Sequence, residues 1–358
     1  MNYPKKILVI QLRRIGDVLM CTPALRALRA QYKDSYIAFL TEKESSDILS
    51  LNSYLDEVII LDKERYRNPF YSIKKIWQVR KSSFDLVIDF FGNPRGTYFS
   101  FFSGAKHRMG YKLPFRRYFY NILIKNDKTP KYAALGRLDA LKIMGIENGE
   151  VKLDFFIPDG ARLFAQKFFE ENKINPQNLS ISISPTSRRH FNRWALERYA
   201  RLADWLISQV NAKIILVWGP GEKEVVEKVK HFMKKEPFYC WQTKNLFELG
   251  AILERCDLHI GNDNGTKHIA VAMGKPTITI YGPHNPISWT YPDFSRHKYL
   301  KNEVDCSDCE KIKHKCTKLS CLELITVEDV QETFLQLLNE LKGTMQFEKL
   351  EHIAVNQR

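Results

Sequence analysis

The chain is predicted to be α/β, with two doubly wound domains, each a parallel sheet covered by helices on both faces, and a C-terminal helix after them. Three observations predict this. Short β-type runs alternate with helix-type segments through the first half, and a second such series starts near Leu179 after the loop Asn175-Pro176-Gln177-Asn178. A length of 358 residues is too long for one typical core and fits two domains of about 150 to 200 residues. The expected boundaries are residues 1–175, 176–325, and 326–358 for the C-terminal helix and tail.

In the first series Lys6 to Leu12, Tyr36 to Leu40, Glu57 to Leu61 and Leu86 to Phe90 read as strands. Between them Val18 to Tyr32, Ser45 to Asn52 and Ser72 to Ser82 carry apolar residues three and four apart, the helical spacing. Pro23 falls well inside the first of these, so it either kinks that helix or marks a fresh start at Thr22. In the second series Ser180 to Ser184, Lys213 to Trp218, Phe238 to Trp241, Leu258 to Ile260 and Thr277 to Tyr281 read as strands. Helices are expected at Ala195 to Gln209, Lys223 to Lys234, Leu246 to Arg255 and Lys267 to Met273. Thr326 to Leu341 is amphipathic and opens with a capping pattern, Thr326 followed by Asp329 at the third helical position. Two such domains place ligand crevices at the carboxyl ends of their strands, and the expectation is one crevice between the domains.

A hydrophobic content of 44% with 12% aromatics supports both cores. No run approaches the roughly 20 apolar residues that span a bilayer, and Ile7 to Ile10 is too short for a signal-peptide core, so a cytoplasmic location is expected. The net charge of +14 favours partners that carry phosphate or carboxylate. From Phe90 to Asn126 there is no Asp or Glu, while Arg95, Lys106, Arg108, Lys112, Arg116, Arg117 and Lys125 alternate with Phe and Tyr. This reads as a basic, aromatic surface, to which Lys63, Arg65 and Arg67 add charge. A solvated face over a core helix explains the aromatics equally well, but not the lack of acids.

Four turns at strand ends carry candidate chemistry. The most informative is Gly261-Asn262-Asp263-Asn264-Gly265-Thr266-Lys267-His268, where a strand ends in a glycine-flanked acidic turn and passes directly into a helix. The unpaired N–H groups of that helix start suit phosphate, and the Asp263 carboxylate suits sugar hydroxyls, which points to a nucleotide sugar. Ser184-Pro185-Thr186-Ser187-Arg188-Arg189-His190 with Asn192-Arg193-Trp194 offers hydroxyls and cations for a diphosphate that departs with negative charge. Gly219-Pro220-Gly221-Glu222 places an acid where ribose hydroxyls would be bound. At the first strand end, Arg13-Arg14-Ile15-Gly16-Asp17-Val18 offers Asp17 either as a base toward an attacking hydroxyl or as a helix cap.

Of seven cysteines, Cys306, Cys309, Cys316 and Cys321 cluster, while Cys21, Cys240 and Cys256 lie singly in apolar stretches. In a reducing compartment such a group is either free thiols or a structural zinc or iron site.

The motifs Ile15-Gly16-Asp17-Val18-Leu19 with Thr22-Pro23-Ala24-Leu25, Gly219-Pro220-Gly221-Glu222, Gly261 to His268 and Gly274-Lys275-Pro276 together resemble the ADP-heptose lipopolysaccharide heptosyltransferases of glycosyltransferase family 9. The resemblance runs from about Lys5 to Leu341. It implies a GT-B fold of two facing Rossmann-like domains and inverting transfer of heptose from ADP-heptose to the lipopolysaccharide inner core, with no cofactor required for catalysis. It implies Asp17 as general base. Asp263, Gly265, Thr266, His268, Thr186, Ser187, Arg193 and Glu222 are implied around the donor. Arg14, Arg65, Arg95 and Arg116 are the candidates for binding a phosphorylated, lipid-anchored acceptor. An anionic membrane surface on the inner face of the inner membrane is the expected partner, and nucleic acid is not. One departure stands out, because the family usually carries Lys where this chain has Asn192; either Arg193, Arg189 or Arg188 supplies the charge, or donor binding is weaker or different here. The alternatives are a GT-B-like transferase or epimerase using another nucleotide sugar, and a non-catalytic module that binds anionic ligands.

Overall fold

The computed structural model describes residues 3–125, 129–147, 149–236, 238–239, 244–304, 316 and 318–342. The chain divides into two compact units, Met1–Phe156 and Ile157–Arg358. The first contains strands β1 Lys6–Ile10, β2 Tyr36–Glu42, β3 Glu57–Leu61, β4 Leu86–Asp89, β5 His107–Tyr111 and β6 Ile122–Ile124. Its α-helices are α1 Ile15–Leu19, α2 Thr22–Gln31, α3 Pro69–Lys81, α4 Pro94–Phe102 and α5 Ala133–Leu141. The second contains β7 Ser180–Ser184, β8 Lys213–Leu216, β9 Phe238–Tyr239, β10 Leu258–Asn262, β11 Thr277–Ile280 and β12 His297–Leu300. Its helices are α6 Asp159–Glu171, α7 Leu196–Val210, α8 Lys223–Phe232, α9 Leu246–Arg255, α10 Gly265–Ala272 and α11 Pro286–Trp289, followed by Ser320–Glu323 and Val327–Leu341.

Each unit holds one six-stranded sheet, in the orders β3-β2-β1-β4-β5-β6 and β12-β11-β10-β7-β8-β9, with every pair parallel. Both are therefore the same doubly wound topology, with the strand order reversing between β1 and β4 in one unit and between β7 and β10 in the other. The crevice of such a sheet opens at the carboxyl ends of the two strands flanking that reversal. The central strands are apolar on both faces, as a sheet covered twice requires: Ile7, Leu8, Val9 and Ile10 are all buried.

The α/β class and the two parallel sheets are those expected, with several local differences. Val18 to Tyr32 is two helices, because Thr22-Pro23 starts afresh: Pro23 occupies the first turn of α2, and the Thr22 hydroxyl donates to Leu19 O at 2.7 Å. Ser45 to Asn52 is corrected to the 3₁₀ turn Lys43–Ile48. The unit boundary lies at residue 156 rather than 175, since α6 packs on α9 and Arg162 pairs with Glu254 at 2.9 Å. Val327–Leu341 is a part of the second unit's core, into which it buries Phe334, Leu337, Leu338 and Leu341. Its capping box forms as read, with Thr326 Oγ1 accepting from Asp329 N at 3.1 Å and the Asp329 carboxylate accepting from Thr326 N at 2.7 Å.

The crevice side of the second sheet demands glycine at 261. A Cβ there would lie 2.8 Å from Ser184 O of the neighbouring strand and 3.1 Å from His259 Nε2. Gly261→Ala is expected to destabilise the chain by about 1–3 kcal/mol, read as a lowered urea midpoint; an unchanged midpoint would show that β7 and β10 do not approach this closely.

Candidate functional site

In the second unit the ends of β7 and β10 are fastened to each other by two asparagines. Asn262 Oδ1 accepts from Trp194 N at 3.1 Å, and its Nδ2 donates to Pro185 O at 3.0 Å. Asn264 caps α10 by accepting from Lys267 N at 3.0 Å, and its Nδ2 donates to Ser184 Oγ and Thr186 O, both at 2.9 Å. The side chains on either side of Asp263 thus shape the Ser184 to Ser187 turn, which holds Thr186 and Ser187 almost fully buried.

Asp263 itself is enclosed by one ammonium and two imidazoles. Lys267 Nζ donates to its Oδ1 at 2.7 Å, His284 Nδ1 lies 3.1 Å from Oδ2, and His268 Nε2 lies 3.9 Å from Oδ1. The Lys267 side chain is 2% exposed, and its ammonium also donates to Tyr281 Oη and Trp289 O at 3.0 Å each. With those three acceptors its donors are used, so Lys267 serves Asp263 and no external anion. Burial works against the charge of Asp263, but Lys267, His284 and His268 hold its carboxyl below the usual carboxylate range. The same burial lowers Lys267, against the pull of Asp263. The carboxylate is ionised, with a lone pair on each oxygen left for a further donor.

The first-turn N–H groups of α10, at the half-buried Gly265 and Thr266, point out of the helix beside this carboxylate. Arg193 Nε donates to Ser187 O, which draws its guanidinium onto the same turn, and Arg189 stacks 5.5 Å from the Phe191 ring centre. Asn192 is buried and brings Nδ2 to 3.3 Å from His284 Nδ1. Glu222 closes its own turn by accepting from Gly219 N at 3.0 Å. Sequence reasoning missed His284, Tyr281 and the role of Lys267; the one signal was the Tyr281-Gly282-Pro283 stop after β11.

In the first unit Asp17 is the third residue of α1. One oxygen accepts from Arg14 N at 3.2 Å and the other lies 3.4 Å from Arg137 Nη2. With 27% of its side chain exposed, Asp17 caps its helix and still faces solvent, so the two readings of it are compatible. Arg137 Nε also reaches Cys21 Sγ at 3.2 Å, and burial pushes that thiol up to about 11, leaving it neutral.

Across the strand reversal from Asp17, β4 ends in Asp89, which the sequence did not single out. It is fully buried and accepts from Tyr120 Oη at 2.6 Å, Phe91 N at 2.9 Å and Gly92 N at 3.0 Å. Burial raises its carboxyl from the ordinary 3.8 to about 6, and these bonds only partly offset that rise. Arg116 donates to Gly92 O in the same turn. Arg95 pairs with the buried Glu42 at 3.0 Å and lies 4.7 Å from the Tyr66 ring centre, while Arg65 lies 5.1 Å from that of Tyr71. Arg14 is exposed. Four cations nominated for the acceptor therefore divide: Arg14 and Arg65 are open to solvent, whereas Arg95 and Arg116 already hold the unit's own loops.

Cys306 and Cys309 lie outside the described residues, as does Cys240. Cys316 and Cys321 are half-buried, and among the described residues no group of three or more His, Cys, Asp or Glu could hold a metal. Among them, too, no helix is long and apolar enough to cross a membrane.

A family model described as glycosyltransferase family 9 (heptosyltransferase) matches residues 73–320. The lipopolysaccharide core heptosyltransferase OpsX of Haemophilus influenzae is 24% identical over 291 residues, covering 79% of this chain and 81% of that protein. The crystal structure of a family 9 glycosyl transferase from Veillonella parvula superposes with a TM-score of 0.84 at 25% identity, over 95% of this chain and 98% of that one. Escherichia coli heptosyltransferase WaaC, solved with ADP-2-deoxy-2-fluoro heptose, shares the fold at a TM-score of 0.69 and 19% identity, over 92% and 99% of the two chains.

Asp89 gives the first unit a stability that depends on pH. Its folded value is raised, so its contribution is complete below the unfolded value and is lost as pH rises through about 6. Relative to Asp89→Asn, the wild-type chain is expected to lose about 3 kcal/mol between pH about 4 and pH about 7. Urea titrations across that range check this; parallel curves for the two proteins would contradict it.

Proposed function

The chain belongs to glycosyltransferase family 9 (heptosyltransferase), and we propose that it transfers heptose from ADP-heptose to the lipopolysaccharide inner core with inversion, Asp17 acting as general base. The observation that carries this reading is the ionised, enclosed Asp263 beside the open start of α10, at the strand reversal of the second sheet. A fixed carboxylate next to free helix N–H groups suits a sugar joined to a diphosphate. Two relatives agree in substrate class: OpsX is named a lipopolysaccharide core heptosyltransferase, and WaaC was solved with an ADP-heptose analogue.

In the proposed reaction the acceptor hydroxyl gives its proton to Asp17, and its oxygen bonds to the anomeric carbon as the bond to the β-phosphate oxygen breaks. Attack opposite the leaving group inverts the anomeric centre. Arg137 Nη2, 3.4 Å from Asp17 Oδ1, helps to hold the carboxylate in place, and the partial exposure of Asp17 leaves it open to an incoming alcohol. The departing ADP carries negative charge, which the N–H groups of Gly265 and Thr266, the hydroxyls of Thr186 and Ser187, and Arg193 would receive. Arg193 takes the place of the lysine that the family usually carries where this chain has Asn192, and the step draws on no metal. Asp263, with His268 beside it, accepts hydroxyls of the heptose, and Glu222 accepts from the ribose. Arg14 and Arg65, with Arg95 and Arg116 behind them, would meet acceptor phosphates. Because that acceptor is anchored in lipid, the chain works at the cytoplasmic face of the inner membrane. Structural zinc or iron on Cys306, Cys309, Cys316 and Cys321 is a separate proposal, for which elemental analysis would read one metal per chain.

Asp17→Asn is expected to lower kcat for heptosyl transfer by about 10² to 10⁴-fold while ADP-heptose binds as before. Mass-spectrometric product analysis with purified acceptor measures this. Turnover retained by the variant would remove Asp17 from the chemistry.

A further inference from the structure

We propose that helix α3 is a docking face that seats the first unit on an anionic lipid bilayer. The helix has two apolar sides where a surface helix has one. Val79 is buried and Ile76 packs against the first unit's core. On the opposite side Phe70, Ile73 and Trp77, spaced by three and four residues, are exposed at 78%, 62% and 61%. Lys74 and Lys81 fall on that outer side and are exposed, with Lys81 Nζ 5.4 Å from the Trp77 ring centre. Next to it α4, which packs on α3, exposes Tyr98, Phe101 and Phe102.

Charge identifies the occupant. From residue 65 to residue 126 there are thirteen Lys or Arg and two acids, a net +11 of the chain's +14. Of the two acids, Asp89 is buried, and Asp85 is exposed with its carboxylate accepting from the backbone N–H groups of Lys5 and Lys6. Trp and Phe flanked by Lys on a helix face match the boundary between headgroups and acyl chains, where rings enter and ammonium groups meet lipid phosphate. A helix of 13 residues, about 20 Å long, would lie flat along that boundary. Within 90–126 Phe115 and Tyr118 are exposed at 84% and 71% at a short 3₁₀ turn, whereas Phe70, Ile73 and Trp77 line one side of a helix whose periodicity also accounts for a core face.

The proposal rests on the reading that the acceptor is lipid-anchored, yet vesicle binding requires no sugar substrate, so the two can fail separately. The probe is co-sedimentation with phosphatidylglycerol–phosphatidylcholine vesicles against pure phosphatidylcholine. The wild-type chain is expected to bind the anionic vesicles, less as salt rises. The triple variant Phe70→Ala, Ile73→Ala, Trp77→Ala should bind at least about tenfold more weakly while keeping turnover on a soluble, delipidated acceptor. Lys74→Gln with Lys81→Gln should weaken binding and flatten its salt dependence. Wild-type binding to neither vesicle, or a triple variant that binds as wild type, would overturn the docking face. Vesicle binding lost only in the triple variant, by a chain that transfers no heptose, would support the docking face and overturn the activity alone.

Discussion

A lysine ammonium with almost no exposed surface is tolerable only beside an opposite charge, and Lys267 has Asp263 at 2.7 Å. Removing one partner of such a pair typically costs about 3–5 kcal/mol, because the other is left buried and uncompensated. The rest of the second unit's crevice is built around this pair. Asn262 and Asn264 flank Asp263 and reach outward to Trp194, Pro185, Ser184 and Thr186. Tyr281, at the end of β11, receives both Lys267 and a bond with Thr290 Oγ1 at 2.9 Å. The carboxylate therefore enters any reaction already ionised and already aimed, which is what a sugar-binding group needs if binding is not to be spent on ordering it.

The same topology is used differently in the first unit. There the strand reversal presents two aspartates of contrasting environment: Asp17 faces solvent beside Arg137, while Asp89 is buried and accepts from Tyr120 Oη and the N–H groups of Phe91 and Gly92. Opposed environments are how a protein separates the roles of like groups. Asp89 organises the turn that follows β4 and restricts Gly96, where a Cβ would meet its carboxylate oxygens at 2.8 Å. Asp17 is the one that solvent reaches, with 27% of its side chain exposed.

Much of the architecture was legible because the central strands are short, apolar and bounded by turn residues, and because α7, α8 and α9 have one buried face each. The Gly261 to His268 segment was legible as a strand end running into a helix start for the same reason. Other parts were not. Strand β5, His107-Arg108-Met109-Gly110-Tyr111, carries two basic residues and a glycine, and β6 is three residues long, so neither shows a strand pattern. A lysine ordinarily reads as surface, and nothing in Gly265-Thr266-Lys267-His268 signals that Lys267 turns inward. Arg95 and Arg116 read as available cations because their partners, Glu42 and the carbonyl of Gly92, are remote in sequence or belong to the backbone.

The central claim is that Asp263 grips the sugar of an ADP-activated donor while the start of α10 holds its diphosphate. Calorimetric titration of ADP and of ADP-heptose into wild type and Asp263→Asn tests it directly, with UDP-glucose and GDP-mannose as controls. The account predicts that ADP-heptose outbinds both controls, and that the substitution weakens ADP-heptose at least about tenfold while leaving ADP within about twofold. Equal loss for both ligands, or no loss for ADP-heptose, would contradict it.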